Sequence, residues 1–379
     1  MFFRVAGPAP AGALPAANPP GVALRTVARS LALMQKEALI GSSATGRVWR
    51  LASDEGAYLM GDDVAPCPLA FMTAGMIASF AEHVLVLARA RGVPLPGLRM
   101  TQDNYYTMEG SALRGTMAGG ALPVDLRIEA GSPEPEALRK LLEEAAAASP
   151  VSALLGSVLP GRFTLTHNGA RVRMRRAAPA GRPPGSWPAE RFGSAAPAPG
   201  DWSGLVGRNG MSPKTSEATS HTGSSYAAEQ SRRLHLRAIC TVRPDGVKAI
   251  EQHLLNPHGS IFHFLSEEGP EAGGQGRAPD ALTYLSAGIA FCFMTQLGRY
   301  AKIVRRNLID YGVVQDTRFS PGANGASPTA DAVETHVYLE SGEDDAFAEG
   351  VLDMAEQTCF LHALCRSGLG VNAAVGVGS

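Results

Sequence analysis

Apolar residues recur at helical spacing in the stretch from Ala278 to Tyr300. Pro279 and Asp280 suit a helix start, since proline costs nothing where the first N–H has no partner and a carboxylate suits the positive end. Small residues at positions 286–288 and 290 would let another backbone approach closely. We therefore predict a buried central helix, in which Cys292 taken alone would be a packing residue. The apolar positions are Leu282, Leu285, Ile289, Cys292, Phe293, Leu297 and Tyr300.

A second stretch, residues 65–83, aligns with this one without gaps. A shift of 279 − 66 = 213 places Pro66 on Pro279 and Ala74-Gly75 on Ala287-Gly288. The same shift aligns residues 46–56 with residues 259–269. Two separate blocks on one register indicate a tandem duplication.

The duplication predicts a second helix in each copy. Residues 135–155 resemble residues 345–365, which places Ser149 on Cys359. The shift of 213 also places Ser79 on Cys292. The copies therefore differ at both thiol positions, where the first copy has serine.

Short runs rich in strand-forming residues surround these helices. Their bounds predict strands, and Asn168-Gly169 predicts a tight hairpin turn. Each copy then reads as strands, a long central helix, strands, a second helix and a short strand, which is an α+β arrangement. The runs are 46–53, 98–108, 124–129, 163–166, 170–174 and 234–242.

Composition divides the chain into four parts. Residues 1–21 are broken by prolines and predict a disordered tail, and residues 177–232 are rich in Pro, Gly, Ser and Ala and predict a flexible linker. Trp187 and Trp202 could attach parts of that linker to the folded body. The first domain is then predicted at 22–176 and the second at 233–379.

Charge and cysteine content narrow the class of protein. The chain has 379 residues and a net charge of −1, which gives no sign of a nucleic-acid or membrane-surface partner. Glu82 and His83 lie in the most apolar helix of the first copy and argue against a membrane span. Five cysteines without close paired spacing suit a reducing compartment, so we predict a cytoplasmic protein.

The segment Ser286-Ala-Gly-Ile-Ala-Phe-Cys-Phe293 follows a Gly-rich loop and a proline, and a second helix carries Cys359. This arrangement resembles the OsmC/Ohr family, the osmotically inducible protein C and organic hydroperoxide resistance proteins. The resemblance covers nearly the whole chain except the tail and the linker. It implies two OsmC-like domains, each a sheet wrapped around a long buried helix, packed as an intrachain pseudo-dimer.

Family members are thiol-dependent peroxidases that reduce organic hydroperoxides. The resemblance implies that Cys292 is the peroxidatic thiol and that Cys359 resolves it as a disulfide, which an external dithiol then reduces. No cofactor is implied. The first domain, with serine at both positions, would be a degenerate structural partner.

The supporting residues are less determined. The family uses a carboxylate near the helix start, for which Asp280 is the candidate, and an arginine near the thiol. That arginine is open among Arg277, Arg237, Arg47 and Arg50. Phe360 follows Cys359 where the family usually has proline, and Cys365 is close enough in sequence to take the place of Cys359.

Other interpretations concern histidines and the remaining cysteines. His362 lies at i+3 from Cys359 and could favour a thiolate, or be a satisfied or exposed histidine. A zinc site of Cys359, His362, His258 and His263 lacks a second close pair of ligands, so we predict no metal. Cys67 and Cys240 are predicted to be structural.

Two functions from different classes remain. The first is a peroxidase with a hydroperoxide and a dithiol reductant as partners, and a further homo-oligomer is left open. The second is a non-enzymatic binding or scaffold protein that kept the fold and lost the chemistry. The geometry of the Cys292–Cys359 pair distinguishes them, because a peroxidase needs two sulfurs that can reach bonding distance.

Overall fold

The computed structural model describes residues 1–16, 21–184, 189–214, 226–322 and 327–376. The helices are α1 (Pro68–Arg91), α2 (Pro135–Ala148), α3 (Pro150–Gly156), α4 (Ala281–Ile303), α5 (Asp345–Thr358) and α6 (Phe360–Arg366). The strands up to residue 172 are β1 (Phe3–Arg4), β2 (Val22–Ser30), β3 (Lys36–Ser42), β4 (Val48–Ser53), β5 (Arg99–Ser111), β6 (Ala118–Ala121), β7 (Val124–Glu129), β8 (Arg162–His167) and β9 (Ala170–Val172). The later strands are β10 (Val206–Met211), β11 (Glu229–Val242), β12 (Lys248–Asn256), β13 (Ser260–Ser266), β14 (Asp310–Ser320), β15 (Thr329–Ala330), β16 (Glu334–Glu340) and β17 (Val371–Val375).

The two halves of the chain carry the same elements in the same order. Three strands, a long helix, three strands, two helices and a strand run from β2 to β8 and again from β11 to β17. This confirms the predicted α+β class with a long central helix in each half. The shared order is what a tandem duplication predicts, and the duplication and its boundaries stay predictions.

Each of the two sheets contains strands from both halves. The first sheet has the order β1-β4-β3-β2-β14-β16-β8-β9, with β15 beside β14. The second has the order β10-β13-β12-β11-β5-β7-β17, with β6 beside β5. The antiparallel pairs β2–β14 and β11–β5 join the halves along nearly their whole length, so the two halves are interleaved in one body.

The central helices α1 and α4 pack against each other through glycine. A Cβ at Gly75 would lie 2.7 Å from the carbonyl oxygen of Ala281, and one at Gly288 would lie 2.8 Å from the backbone nitrogen of Met72. The predicted close approach of two backbones is therefore confirmed. Both helices are long and apolar enough to cross a membrane, but 78% and 94% of their most apolar windows are buried in the fold.

The tail and the linker are more ordered than predicted. Phe3 and Arg4 pair with β4, and β10 within the predicted linker pairs with β13. Trp202 packs edge-to-face on Trp49 at 5.7 Å between ring centroids, whereas Trp187 lies outside the described residues. The prediction was wrong for these segments because strand pairing uses backbone groups, which a search for apolar periodicity does not see.

We expect Gly288→Ala to lower the free energy of unfolding by about 1–3 kcal/mol, because its methyl group would force the two helices apart. Gly350→Ala on α5 is the matched control, since a Cβ there meets nothing within 4 Å. Alanine favours a helix over glycine, so the control should be unchanged or more stable by up to about 1 kcal/mol. Chemical denaturation measures both, and equal effects would contradict the packing described.

Candidate functional site

Two buried thiols meet at the centre of the molecule. Cys292 lies in the middle of α4, and Cys359 occupies the short break between α5 and α6, where its backbone is extended. Their side chains are close enough that each shifts the pKa of the other, and both are free thiols. Cys292 is 2% exposed and Cys359 is fully buried. The structure therefore brings together the two cysteines that the sequence singled out.

The first half has a serine pair at the equivalent place. The hydroxyls of Ser79 on α1 and Ser149 between α2 and α3 are 2.9 Å apart. Ser149 also caps α3 by accepting a hydrogen bond from the Val151 backbone N–H. The matched positions thus hold oxygen in one half and sulfur in the other.

A small cavity of about 20 Å³ lies beside Cys292. Cys359 is not among the described residues that line it, so Cys292 is the member of the pair that faces the open space, and Cys67 lines the same cavity. The lining combines apolar side chains from both halves with a few polar ones. The polar lining is Glu55, Tyr58, Arg232, Thr295 and Gln296, and the apolar lining includes Leu59, Leu69, Leu234, Leu254 and Phe360.

Glu55 is the carboxylate of this site. One of its oxygens accepts a hydrogen bond from the Thr295 hydroxyl at 2.8 Å, and the other accepts one from the Tyr58 hydroxyl at 2.7 Å. The loop that holds it is tight, because a Cβ at Gly61 would lie 1.9 Å from the Glu55 carbonyl oxygen. Asp54 stabilises the same loop by accepting hydrogen bonds from three backbone N–H groups.

Three cations surround Glu55 and the thiols. Lys36 on β3 is almost fully buried; burial lowers its pKa, and the charges of Glu55, Asp54 and Cys292 partly offset this. Burial also lowers the pKa of Arg232, which lines the cavity. The pKa of Arg299 on α4 falls to about 9 because of burial and the nearby Arg232. None of the three was singled out in the sequence.

The two thiols differ in acidity. Burial, with Cys359 and Glu55 close by, raises the pKa of the Cys292 thiol well above its usual value. Burial alone would also raise the pKa of Cys359, but its interactions with Cys292 and His362 hold that pKa well below the usual range. Of the two thiols, Cys359 is therefore the one that ionises more readily.

The structure does not bring the predicted supporting residues to the thiols. Asp280 caps α4 through the Thr283 backbone N–H and hydroxyl. Arg277 pairs with Glu267 at 2.7 Å, and none of the three candidates Asp280, Arg277 and Arg237 is among the described residues lining the cavity. The reason is that each sheet contains strands from both halves. The loop before α4, which holds Arg277 and Asp280, therefore packs near α1, and the loop after β4 in the first half packs near Cys292.

The remaining arginine candidates have other partners. Arg237 binds both carboxylate oxygens of Asp103, and Arg50 binds Glu37. Arg47 donates to the backbone carbonyl of Gly276. Arg232 lies at the cavity instead, because β11 runs past the loop of the first half.

A second, wider pocket of about 230 Å³ occupies the equivalent place in the first half. The shift of 213 places Glu268 on Glu55 and Glu82 on Thr295. Lys248 contacts Glu82 at 2.6 Å and Glu268 at 3.8 Å. Burial raises the pKa of Glu268 to about 7, although Lys248 opposes the shift. The described lining of this pocket thus has a carboxylate and a lysine, both supplied by the second half, and no cysteine.

In the part of the chain that the structure describes, no three His, Cys, Asp or Glu side chains are grouped as metal ligands. His258 instead bonds the Ser212 carbonyl oxygen. His362 contacts Cys359, with Nδ1 3.2 Å from Sγ.

The sequence did contain a signal for Glu55, because acidic pairs occur on the shared register at Asp54-Glu55 and Glu267-Glu268.

Comparison with known proteins gives limited similarity. No protein-family model and no curated protein matches the chain. Among solved structures, it is similar to an OsmC-like hydroperoxide resistance protein from Jannaschia sp. CCS1, with 20% identity over 34% of this chain and 81% of that one and a TM-score of 0.21. It is also similar to a putative osmotic stress induced and detoxification response protein from Psychrobacter arcticus 273-4, with 13% identity over 33% and 83% of the two chains and a TM-score of 0.25.

The wider pocket predicts a pH-dependent stability. Folding raises the pKa of the Glu268 carboxyl group. Such a group stabilises the protein at pH values below its pKa in the unfolded chain, and this contribution is lost as the pH rises through its pKa in the folded protein, here about 7. Glu268→Gln should therefore stabilise the protein by about 1–2 kcal/mol at about pH 9 and have little effect at about pH 5. Denaturation at both pH values measures this.

Glu267→Gln is the matched control for that experiment. Burial would raise the pKa of Glu267, but hydrogen bonds from Arg277 hold it below its usual value. Glu267 therefore stabilises the protein at pH values above its pKa in the unfolded chain, and Glu267→Gln should be less stable than wild type at both pH values. A Glu268→Gln variant that is equally destabilised at both would contradict the assignment.

Proposed function

We propose that this chain is a thiol-dependent peroxidase that reduces organic hydroperoxides, with Cys292 as the peroxidatic thiol and Cys359 as the resolving thiol. The observation that supports it is the Cys292–Cys359 contact, in which Cys292 alone faces a cavity. The resemblance of the Cys292 segment to the OsmC/Ohr motif points to the same chemistry. A cytoplasmic location and an external dithiol reductant belong to this proposal.

The first step is attack of the Cys292 sulfur, as thiolate, on an oxygen of the hydroperoxide. An S–O bond forms, the O–O bond breaks, and Cys292 becomes a sulfenic acid. The leaving alkoxide takes up a proton from solvent and departs as an alcohol. The apolar lining suits the alkyl body of the substrate, and Arg232 and Lys36 offset the charge of Glu55 during attack.

The second step is attack of Cys359 on the sulfenic acid sulfur. A disulfide forms and the hydroxyl group leaves as water, with the proton of the Cys359 thiol. Because the two side chains are already in contact, this step needs little movement. An external dithiol then reduces the disulfide and is itself oxidised, which returns both thiols.

One observation favours the scaffold function. The cavity of about 20 Å³ has room for roughly one water molecule, so a hydroperoxide enters only if lining side chains move. A binding or scaffold protein that had lost the chemistry would need no such opening. Measuring hydroperoxide consumption therefore separates the two functions directly.

We expect wild-type protein to consume cumene hydroperoxide repeatedly when a dithiol is present, in a stopped-flow assay that also counts free thiols. Cys292→Ser should lower the rate by at least about 10³-fold, because the nucleophile is lost. Cys359→Ser should complete one turnover and then stop, because no disulfide with Cys292 can form.

Two variants serve as controls. Cys365→Ser should keep turning over if Cys359 is the resolving thiol, and Cys240→Ser removes a buried thiol on β11 away from the cavity. A wild-type protein that is folded and reduced but consumes no hydroperoxide would favour the scaffold function. Unchanged activity in Cys292→Ser would refute the proposed role of that residue.

A further inference from the structure

His362 on α6 is enclosed by apolar rings. Its imidazole lies 5.4 Å from the ring of Phe163 and 5.1 Å from the ring of Phe293, between centroids. Gly161 leaves room for it, since a Cβ there would lie 2.8 Å from the imidazole carbon Cδ2. The side chain is 1% exposed, and its Nδ1 is 3.2 Å from the Cys359 sulfur.

The other ring nitrogen fixes the position of the proton. Nε2 of His362 is buried and has no hydrogen-bond partner among the described residues. A neutral imidazole carries one N–H, and a buried N–H without an acceptor is among the least tolerated polar groups. In the neutral imidazole the proton therefore belongs on Nδ1, which donates to the Cys359 sulfur.

Cys359 then accepts a hydrogen bond from the His362 Nδ1–H, and the neighbouring Cys292 thiol also lowers its pKa. We propose that His362 is a positioning residue that makes Cys359, rather than Cys292, the resting thiolate of the pair. Hydrogen bonds to an ionised acceptor are stronger than those between neutral groups, so the His362 donor favours charge on this sulfur. The location of the charge does not depend on whether the chain is a peroxidase. Its consequence for the reaction rests on that proposed function.

Other ionisable groups face this pair from each neighbouring element. Tyr106 on β5 and Cys365 on α6 interact electrostatically with Cys359. Glu55, in the loop after β4, opposes ionisation of Cys292, and Lys36 on β3 favours it. Among the described residues, His362 is the one whose side chain lies within hydrogen-bond distance of the Cys359 sulfur, so this contact distinguishes Cys359 from Cys292.

The consequence for the reaction is a proton transfer within the pair. The Cys292 S–H proton passes to the neighbouring Cys359 sulfur, which leaves Cys292 as the attacking thiolate and Cys359 as a neutral thiol. No outside base is needed. After oxidation, the same proton leaves Cys359 with the hydroxyl of the sulfenic acid as water, so atoms and charge balance.

The test is a titration of thiolate absorbance near 240 nm on the reduced full-length protein without peroxide. Burial raises the pKa of Cys67, Cys240 and Cys365 to about 12 each, so they stay protonated in the useful range. We expect one thiolate with a midpoint below the usual cysteine value of about 8.5. It should persist in Cys292→Ser and disappear in Cys359→Ser.

His362→Leu should raise that midpoint by about one to two pH units, since it removes one hydrogen bond to a charged group. His362→Asn keeps an N–H donor and should return the midpoint toward wild type. His336→Gln is the matched control, because His336 is equally buried but bonds Thr164. It should leave the midpoint unchanged, and circular dichroism checks that each variant is folded.

Nuclear magnetic resonance of ¹⁵N-histidine wild type provides a test without any change at position 362. It should show one histidine whose proton is on Nδ1 and whose shifts change in Cys359→Ser. A thiolate that persists in Cys359→Ser and vanishes in Cys292→Ser, or an Nε2–H form of His362, would overturn the inference. If the titration behaves as expected but no hydroperoxide is consumed, only the proposed function fails.

Discussion

The contact between the backbones of α1 and α4 sets the geometry of the whole molecule. Gly75 and Gly288 allow an approach that any larger residue would prevent, and the two sheets enclose the helix pair. With the helices this close, Cys292 can face a loop that belongs to the other half of the chain. The candidate site therefore depends on helix packing at some distance along α4 from the thiol itself.

Strand exchange supplies the second constraint. Because β11 pairs with β5 and β2 pairs with β14, residues from both halves converge on each central helix. Cys292 meets Glu55 and Lys36 from the first half together with Arg232 from the second. The first half, which has serine at both matched positions, is thus part of the site in the second half.

Burial makes the two equivalent sites chemically different. The serine pair Ser79–Ser149 satisfies itself with one neutral hydrogen bond, whereas a thiol pair can lose a proton and then needs donors. The break between α5 and α6 places His362 beside Cys359 for this purpose. In the wider pocket of the first half, Glu82 and Glu268 contact the buried Lys248, and the charge there is neutralised without sulfur.

The sequence by itself determined the local features of this protein. Apolar periodicity and the shared register gave both central helices, their small residues, the α+β order and the matched positions of Cys292, Cys359, Ser79 and Ser149. These follow from spacing along one segment or between two similar segments. Only the tertiary structure decided which half supplies Glu55, Lys36 and Arg232, and that Asp280, Arg277 and Arg237 bind elsewhere. Such partners are set by strand exchange between segments about 200 residues apart, and neither composition nor periodicity records which strand lies beside which.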